Sequence, residues 1–296
     1  MSPLRIWLMA ARPRTLPAAL APVLVGTALA IHDDEFAALA FVAALLGALL
    51  IQVGTNLAND YSDARRGADT EDRLGPVRVT AGGLVPPRQV LIATYVAFGL
   101  AVLVGVYLIV TAGWQILLIG VLSILAGVLY TGGPRPYGYE GLGEVFVFLF
   151  FGLVAVTGTF FAQREEFNWE SFVLAVPVGL LATAILMVNN TRDLETDRRA
   201  GKRTLAVRLG RDRVRVFYAL TVYLAFATAP LAWAFGGEHL TPWLLLPWLA
   251  LPLAAPIVRV VRNKVDGPSL NGALARTGML QLVFCILLSA GLLLSR

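Results

Sequence analysis

Apolar stretches of about 20 residues, each able to cross a hydrocarbon core about 30 Å thick, recur along the whole chain. Read in order they predict about nine spans, near Leu16–Ile31, Phe36–Leu57, Gln89–Thr111, Trp114–Thr131, Glu144–Phe161, Phe172–Val188, Val214–Phe235, Thr241–Val261 and Ala273–Leu294. No long polar block interrupts them, so residues 1–296 read as a single membrane domain. The expected fold class is an all-α polytopic membrane protein of about nine helices. The first span is short and carries Pro17 and Pro22. Because Arg12 and Arg14 precede an apolar run ending in Ala28-Leu29-Ala30, a secretory signal peptide is its alternative reading.

Composition agrees with the pattern. Hydrophobic residues make up 57% of the chain and charged ones 15%, whereas a soluble domain needs roughly 25% charged residues. Charge placement adds an orientation. With the N-terminus in the cytoplasm and the C-terminus outside, every Lys and Arg except Arg164 and Arg296 falls on an inner segment. The outer loops, such as His32-Asp33-Asp34-Glu35 and Gly236-Gly237-Glu238-His239, are short and neutral or acidic. The net charge of +5 therefore reflects topology and gives no reason to invoke nucleic acid. Cys285 stands alone in an apolar run with no metal-ligand spacing. His32 and His239 read as solvated loop residues.

Two inner loops are dense in charge, residues 56–72 and 189–204. Adding 134 to the number carries Asn56 onto Asn190, Asp63 onto Asp197, Arg65 onto Arg199, Gly67 onto Gly201 and Thr70 onto Thr204. Asn59 then meets Asp193. An internal repeat of four spans, with the ninth added, would produce this match; chance similarity between two polar loops is the other explanation. Within each loop, Asn59 and Asp63, and likewise Asp193 and Asp197, are four apart and share one face if the helix continues. Carboxylates gathered at a membrane boundary repel unless a cation lies between them. Hard oxygen ligands of this kind suit Mg²⁺, which keeps waters and binds through one or two carboxylates plus substrate phosphates. Arg65, Arg66, Arg192, Lys202 and Arg203 stand near enough in sequence to neutralise phosphate charge. The bland alternative, solvated topology-setting loops, accounts for the arginines but not for Asn and Asp recurring at helical spacing.

At these residues the chain resembles the UbiA superfamily of membrane prenyltransferases. That family carries an N-D-x-x-D-x-x-x-D motif after its second helix and D-x-x-x-D after its sixth. Here they read Asn59-Asp60-x-x-Asp63 and Asp193-x-x-x-Asp197. The third acid of the first motif, Asp69, lies two residues later than the general pattern. That variant resembles the menaquinone branch, the 1,4-dihydroxy-2-naphthoate prenyltransferases. Supporting stretches are Ala11-Arg12-Pro13-Arg14-Thr15-Leu16-Pro17, Gly75-Pro76-Val77-Arg78, Leu129-Tyr130-Thr131-Gly132-Gly133-Pro134, Tyr137-Gly138-Tyr139, Gly141-Leu142-Gly143-Glu144 and the run from Gly201-Lys202-Arg203-Thr204 to Gly210.

The resemblance implies a helical bundle around a central cavity, roofed by the two polar loops on the cytoplasmic side of the cell membrane. It implies transfer of a polyprenyl group from its diphosphate to 1,4-dihydroxy-2-naphthoate, with loss of CO₂, giving demethylmenaquinone. It assigns Asn59, Asp60, Asp63, Asp69, Asp193 and Asp197 to Mg²⁺. Asp60, Asp63, Asp193, Asp197 and Lys202 become the catalytic set. Asn56, Asn59, Tyr61, Arg66, Arg78, Tyr130, Tyr139, Asn190, Lys202 and Arg203 are expected to bind substrate. Tyr61, Tyr130, Tyr137 and Tyr139 offer π-faces to an allylic cation, or else anchor the chain at the membrane interface. Phe146, Phe148, Phe150 and Phe151 face lipid or line the tail cavity. Glu144 begins a span, where it helps deprotonate the acceptor, contacts an arginine or caps the helix. Arg12 and Arg135 are the candidates for the acceptor's carboxylate. The rival functions are a related enzyme with another aromatic acceptor and, from a different class, a secondary transporter.

Overall fold

The computed structural model describes residues 1–68, 74–235 and 240–296, and the described residues contain helices and connecting turns without strands. Two helices open the chain, α1 (Pro3–Ala11) and α2 (Pro17–His32), joined by a single 3₁₀ turn and bent by 52°. Next come α3 (Ala38–Arg65), α4 (Pro87–Ala112) and α5 (Trp114–Leu129). One rod then runs from α6 (Gly143–Val147) through a π-helical turn at Phe148–Val154 into α7 (Ala155–Arg164). The remainder is α8 (Trp169–Arg199), the short α9 (Leu205–Leu209), α10 (Arg211–Phe235), a 3₁₀ segment leading into α11 (Leu251–Asn263), and α12 (Gly267–Leu294).

All nine apolar runs fall on helices. Among the described residues, seven rods are long and apolar enough to cross a membrane; the bent α1–α2 pair is an eighth candidate, and α5, at 16 residues, is shorter. The bend begins where Pro13 and Pro17 deny backbone hydrogen bonds to the preceding turns. Beyond it α2 is built into the core, with Ala21, Val25, Leu29 and Ala30 fully buried among residues of α7, α8 and α12. This run is thus a bundle helix, which replaces the signal-peptide reading.

Helix starts follow from local chemistry. Asn168 accepts a hydrogen bond from the Ser171 amide at the head of α8, and Asp266 does the same for Ser269 at α12, each satisfying one of the orphan amides of a first turn. The Ser269 amide also holds the Asp266 carboxyl below the usual carboxylate range.

α8 is the most deeply buried long helix and packs against α10, α12 and the π-helical turn. Contact with that turn requires glycine on both sides. A Cβ on Gly152 would lie 2.5 Å from Gly179 Cα, closer than two carbon atoms approach. Around this centre, α3, α4 and α5 present exposed Leu, Val and Ile side chains such as Leu39, Leu46, Leu103, Val110 and Leu118. In a bundle of this composition such faces meet lipid.

Candidate active site at one end of the bundle

The ends of α3 and α8 have the same backbone. Arg66 and Ala200 close the two helices, and Gly67 and Gly201 then adopt positive φ of 64° and 73°. The next amide turns back in each case: Ala68 N–H to the Asp63 carbonyl at 2.9 Å, and Lys202 N–H to the Asp197 carbonyl at 2.9 Å. These are Schellman caps, whose left-handed residue favours glycine. Residues 63 and 67 thus have counterparts 134 positions on in geometry as well as in sequence, and residue 68 in geometry alone.

Both helices remain regular through their acidic pairs, so Asn59 and Asp63 share one face of α3, as Asp193 and Asp197 do on α8. The faces line one cavity of about 390 Å³, together with Asn56, Asn190, Arg78, Lys202, Tyr130 and Tyr139. Asp63 meets three partners there. It accepts a 2.6 Å hydrogen bond from the Tyr139 hydroxyl, and its Oδ2 lies 3.3 Å from Lys202 Nζ and 3.8 Å from the Arg78 guanidinium. The Lys202 ammonium also reaches Asp197 at 4.0 Å and sits 4.7 Å from the centre of the Tyr139 ring. The second cap delivers that lysine, because it is the residue just past Gly201.

Asp60 departs from its expected place. It is 1% exposed and does not line the cavity. Its two oxygens accept hydrogen bonds from the Val79 and Thr80 amides at 3.1 and 2.9 Å. Asp60 therefore anchors the two residues that follow Arg78, and so helps set where that guanidinium stands. Three other expected contacts also lie off the cavity wall. Tyr61 accepts a hydrogen bond from Arg65, Arg66 donates to the Gly133 carbonyl, and Arg203 is exposed with its carbonyl bonded by Arg208. Asp69 lies outside the described residues.

Asn59 accepts a hydrogen bond from the Thr131 hydroxyl at 2.9 Å, which orients its amide oxygen. Asn190 donates to Glu144 at 2.9 Å. Glu144 is buried without lining the cavity, so it braces Asn190 from behind. Tyr130, Tyr137, Tyr139, Phe146, Phe150 and Phe151 form an aromatic wall, with Tyr137 stacked on Phe146 at a centroid distance of 4.0 Å. Burial pushes the Tyr137 phenol well above its ordinary pKa, so it stays a neutral donor to the Ala126 carbonyl. Phe148 lies off the cavity, packed against Gly179. Deeper in, α4 and α5 supply an apolar lining that includes Ala101, Leu108, Ile116 and Ile124.

One polar network was not foreseen from the motifs. Arg192 grips both oxygens of Asp193 at 2.8 and 2.6 Å, and donates as well to Asn189 and to Asn271 of α12. A guanidinium only donates, so Asn271 turns its oxygen to Arg192 and gives its N–H to the Leu74 carbonyl at 3.0 Å. Asn271 thereby ties α12, the end of α8 and the loop after α3 together. The only sequence signal for it is an amide two residues ahead of the final apolar run.

The carboxylate and amide oxygens suit a hard divalent ion, and Lys202 already places one cation between Asp63 and Asp197. Among the described residues no three acidic, His or Cys side chains are close enough to hold an ion unaided. The donors present fit a metal whose coordination is completed by water and phosphate oxygens.

The family profile described as "UbiA prenyltransferase family" matches residues 19–294. A 1,4-dihydroxy-2-naphthoate octaprenyltransferase from Mycobacterium leprae is 40% identical over 290 residues, covering 98% of this chain and 96% of its own. Its counterpart from Escherichia coli is 38% identical over 300 residues, with the same coverage. Among solved structures, a UbiA homolog from Archaeoglobus fulgidus bound to DMAPP and Mg²⁺ superposes with a TM-score of 0.69, at 15% identity, covering 97% of this chain and 98% of that one. Fold, paired helix ends and near-full-length sequence identity converge on one conclusion: the chain belongs to the UbiA prenyltransferase family.

Proposed function

We propose that this chain transfers a polyprenyl group from polyprenyl diphosphate to 1,4-dihydroxy-2-naphthoate, releasing diphosphate and CO₂ and yielding demethylmenaquinone in its reduced, quinol form. The observation that carries the reading is a single cavity with an acid-and-cation end and an apolar, aromatic interior. A diphosphate attached to an isoprenoid tail needs both environments at once. The activity for which the relatives are named supplies the acceptor.

Mg²⁺ held by Asn59, Asp63, Asp193 and Asp197 would neutralise the diphosphate and so favour its departure from the allylic carbon. Lys202 and Arg78 face the same point and oppose the remaining negative charge. Tyr139 fixes the orientation of Asp63 through its hydroxyl. The aromatic wall of Tyr130, Tyr137 and Phe146 keeps water from the allylic cation and presents π-faces to it. The acceptor's ring carbon then forms the new bond to the prenyl group, and the carboxylate leaves as CO₂ with its bonding pair restoring the aromatic ring. By the distribution of Lys and Arg, the cavity mouth faces the cytoplasm in the cell membrane. Charged side chains crowd one end of the bundle, whereas transporter sites lie near the bilayer midplane.

The test is direct. Membranes containing the protein, incubated with 1,4-dihydroxy-2-naphthoate, a polyprenyl diphosphate and Mg²⁺, should form demethylmenaquinone identifiable by mass spectrometry. Absence of that product, or prenylation of 4-hydroxybenzoate in its place, would overturn the reading.

A further inference from the structure

Below the acidic end, the cavity has a second polar patch that the diphosphate chemistry does not use. Gln52 and Asn56 continue the stripe of Asn59 and Asp63 down the same face of α3, and Arg12 and Thr15 meet them from the α1–α2 bend. Hydrogen-bond accounting fixes how this patch is arranged. Thr15 spends its one hydroxyl hydrogen on the Arg12 carbonyl, at 3.0 Å. Its oxygen then acts as acceptor for the side-chain amides of Gln52 at 3.1 Å and Asn56 at 3.2 Å. Gln52 is therefore held by its nitrogen, and its Oε1 is a buried acceptor without a hydrogen-bond partner. Buried acceptors are satisfied in folded proteins as a rule, so this one calls for a donor from elsewhere.

Arg12 is the other half. It is one of three described non-glycine residues at positive φ, at 54°. Its amide bonds the Leu8 carbonyl, and Asn56 secures the preceding Ala11 carbonyl at 2.9 Å. This left-handed C-cap ends α1 and leaves the Arg12 side chain at the cavity wall. Its guanidinium donates to the Asn56 carbonyl at 3.3 Å. Arg135, the other candidate for the acceptor's carboxylate, is exposed and off the cavity.

We propose that Arg12 and Gln52 form the acceptor subsite: Arg12 pairs with the carboxylate of a hydroxylated aromatic acid, and Gln52 Oε1 receives a ring hydroxyl. The inference rests on the acceptor assigned above and adds the residues that select it. In 1,4-dihydroxy-2-naphthoate the hydroxyl beside the carboxylate donates internally to it, which leaves the para hydroxyl for Gln52. The depth is right. Gln52 lies eleven residues from Asp63, roughly 16 Å along the helix at about 1.5 Å per residue. That span takes a diphosphate followed by a bicyclic ring.

The experiment measures binding of three compounds to the full-length protein as substrates or competitive inhibitors: 1,4-dihydroxy-2-naphthoate, 1-hydroxy-2-naphthoate (no para hydroxyl) and 1,4-naphthalenediol (no carboxylate). The wild type should favour the first over each of the others by about tenfold or more, as expected where a polar site loses its partner. Gln52→Met should flatten the preference for the para hydroxyl and keep that for the carboxylate. Arg12→Gln should do the reverse, with Arg12→Lys intermediate. KM for the polyprenyl diphosphate should stay within about threefold throughout. Variants that retain both wild-type preferences, or that lose both together, overturn the subsite. A wild-type protein that prenylates none of these rings overturns the acceptor assignment as well.

Discussion

The Lys202 ammonium stands 3.3 Å from Asp63 Oδ2, joining the loop after α8 to the last turn of α3. The two polar segments meet through that pair, and most of what can be tested follows from it.

Replacing Asp63 or Asp197 by Asn keeps the shape but removes one negative charge opposite Lys202. Turnover should fall by about 100-fold or more, on the scale of losing one preorganised electrostatic group. Steady-state rates with Mg²⁺ varied would check this, with circular dichroism in detergent reporting an unchanged helix content.

Chelation with EDTA should abolish prenyl transfer, and added Mg²⁺ should restore it. The protein should remain folded in EDTA, because the helix ends are held by their Schellman caps and by Lys202. Full activity in EDTA would exclude a metal from the site.

Tyr139→Phe removes a 2.6 Å hydrogen bond to a carboxylate. Hydrogen bonds to charged groups contribute about 1.5–3 kcal/mol, so kcat/KM should drop roughly 10- to 100-fold. Asp60→Ala acts at a distance: it strips acceptors from the Val79 and Thr80 amides, costing about 1–3 kcal/mol for each, and releases Arg78. It should lower thermal stability and raise KM for the polyprenyl diphosphate, whereas Arg78→Lys should raise that KM alone.

Asn271→Leu cuts the link from α12 to Arg192 and to the Leu74 carbonyl. The Mg²⁺ concentration giving half-maximal rate should rise severalfold, with KM for the acceptor unchanged. An unchanged Mg²⁺ dependence would show that Asp193 is positioned without it.

Gly152→Val places side-chain atoms where Gly179 Cα now lies. Overpacking of this kind costs about 1–3 kcal/mol, so a lower Tm in detergent is expected, with severe loss of folded protein if the α8 contact cannot shift.

Much of this architecture is legible in the sequence, because apolar length alone locates membrane-crossing helices. The α1–α2 bend is not, since a nine-residue helix ahead of Pro13 has too little pattern to stand out. The π-helical turn at Phe148–Val154 leaves no compositional trace, because it differs from the surrounding helix only in hydrogen-bond register. At the site, spacing by four finds the cavity face of each helix. Sequence adjacency misleads. Asp60 follows Asn59 directly, but neighbours on a helix point about 100° apart, and Asp60 turns to the loop at Val79. Lys202 and Arg203 diverge too, in the loop after α8, where the first is buried at the cavity and the second is exposed. Gln52 was within reach, one turn before Asn56 on the same face, as a buried amide in a span that otherwise has no reason to carry one.

The two Schellman caps match until the residue just beyond the glycine, where one helix end has Ala68 and the other Lys202. That single difference gives the mouth of the cavity a polarity. With an ammonium on both sides, a leaving group could be seated in two mirror-like poses, and the tail would enter from either flank. With one, the diphosphate has a preferred seat, and the bond to be broken points in one direction.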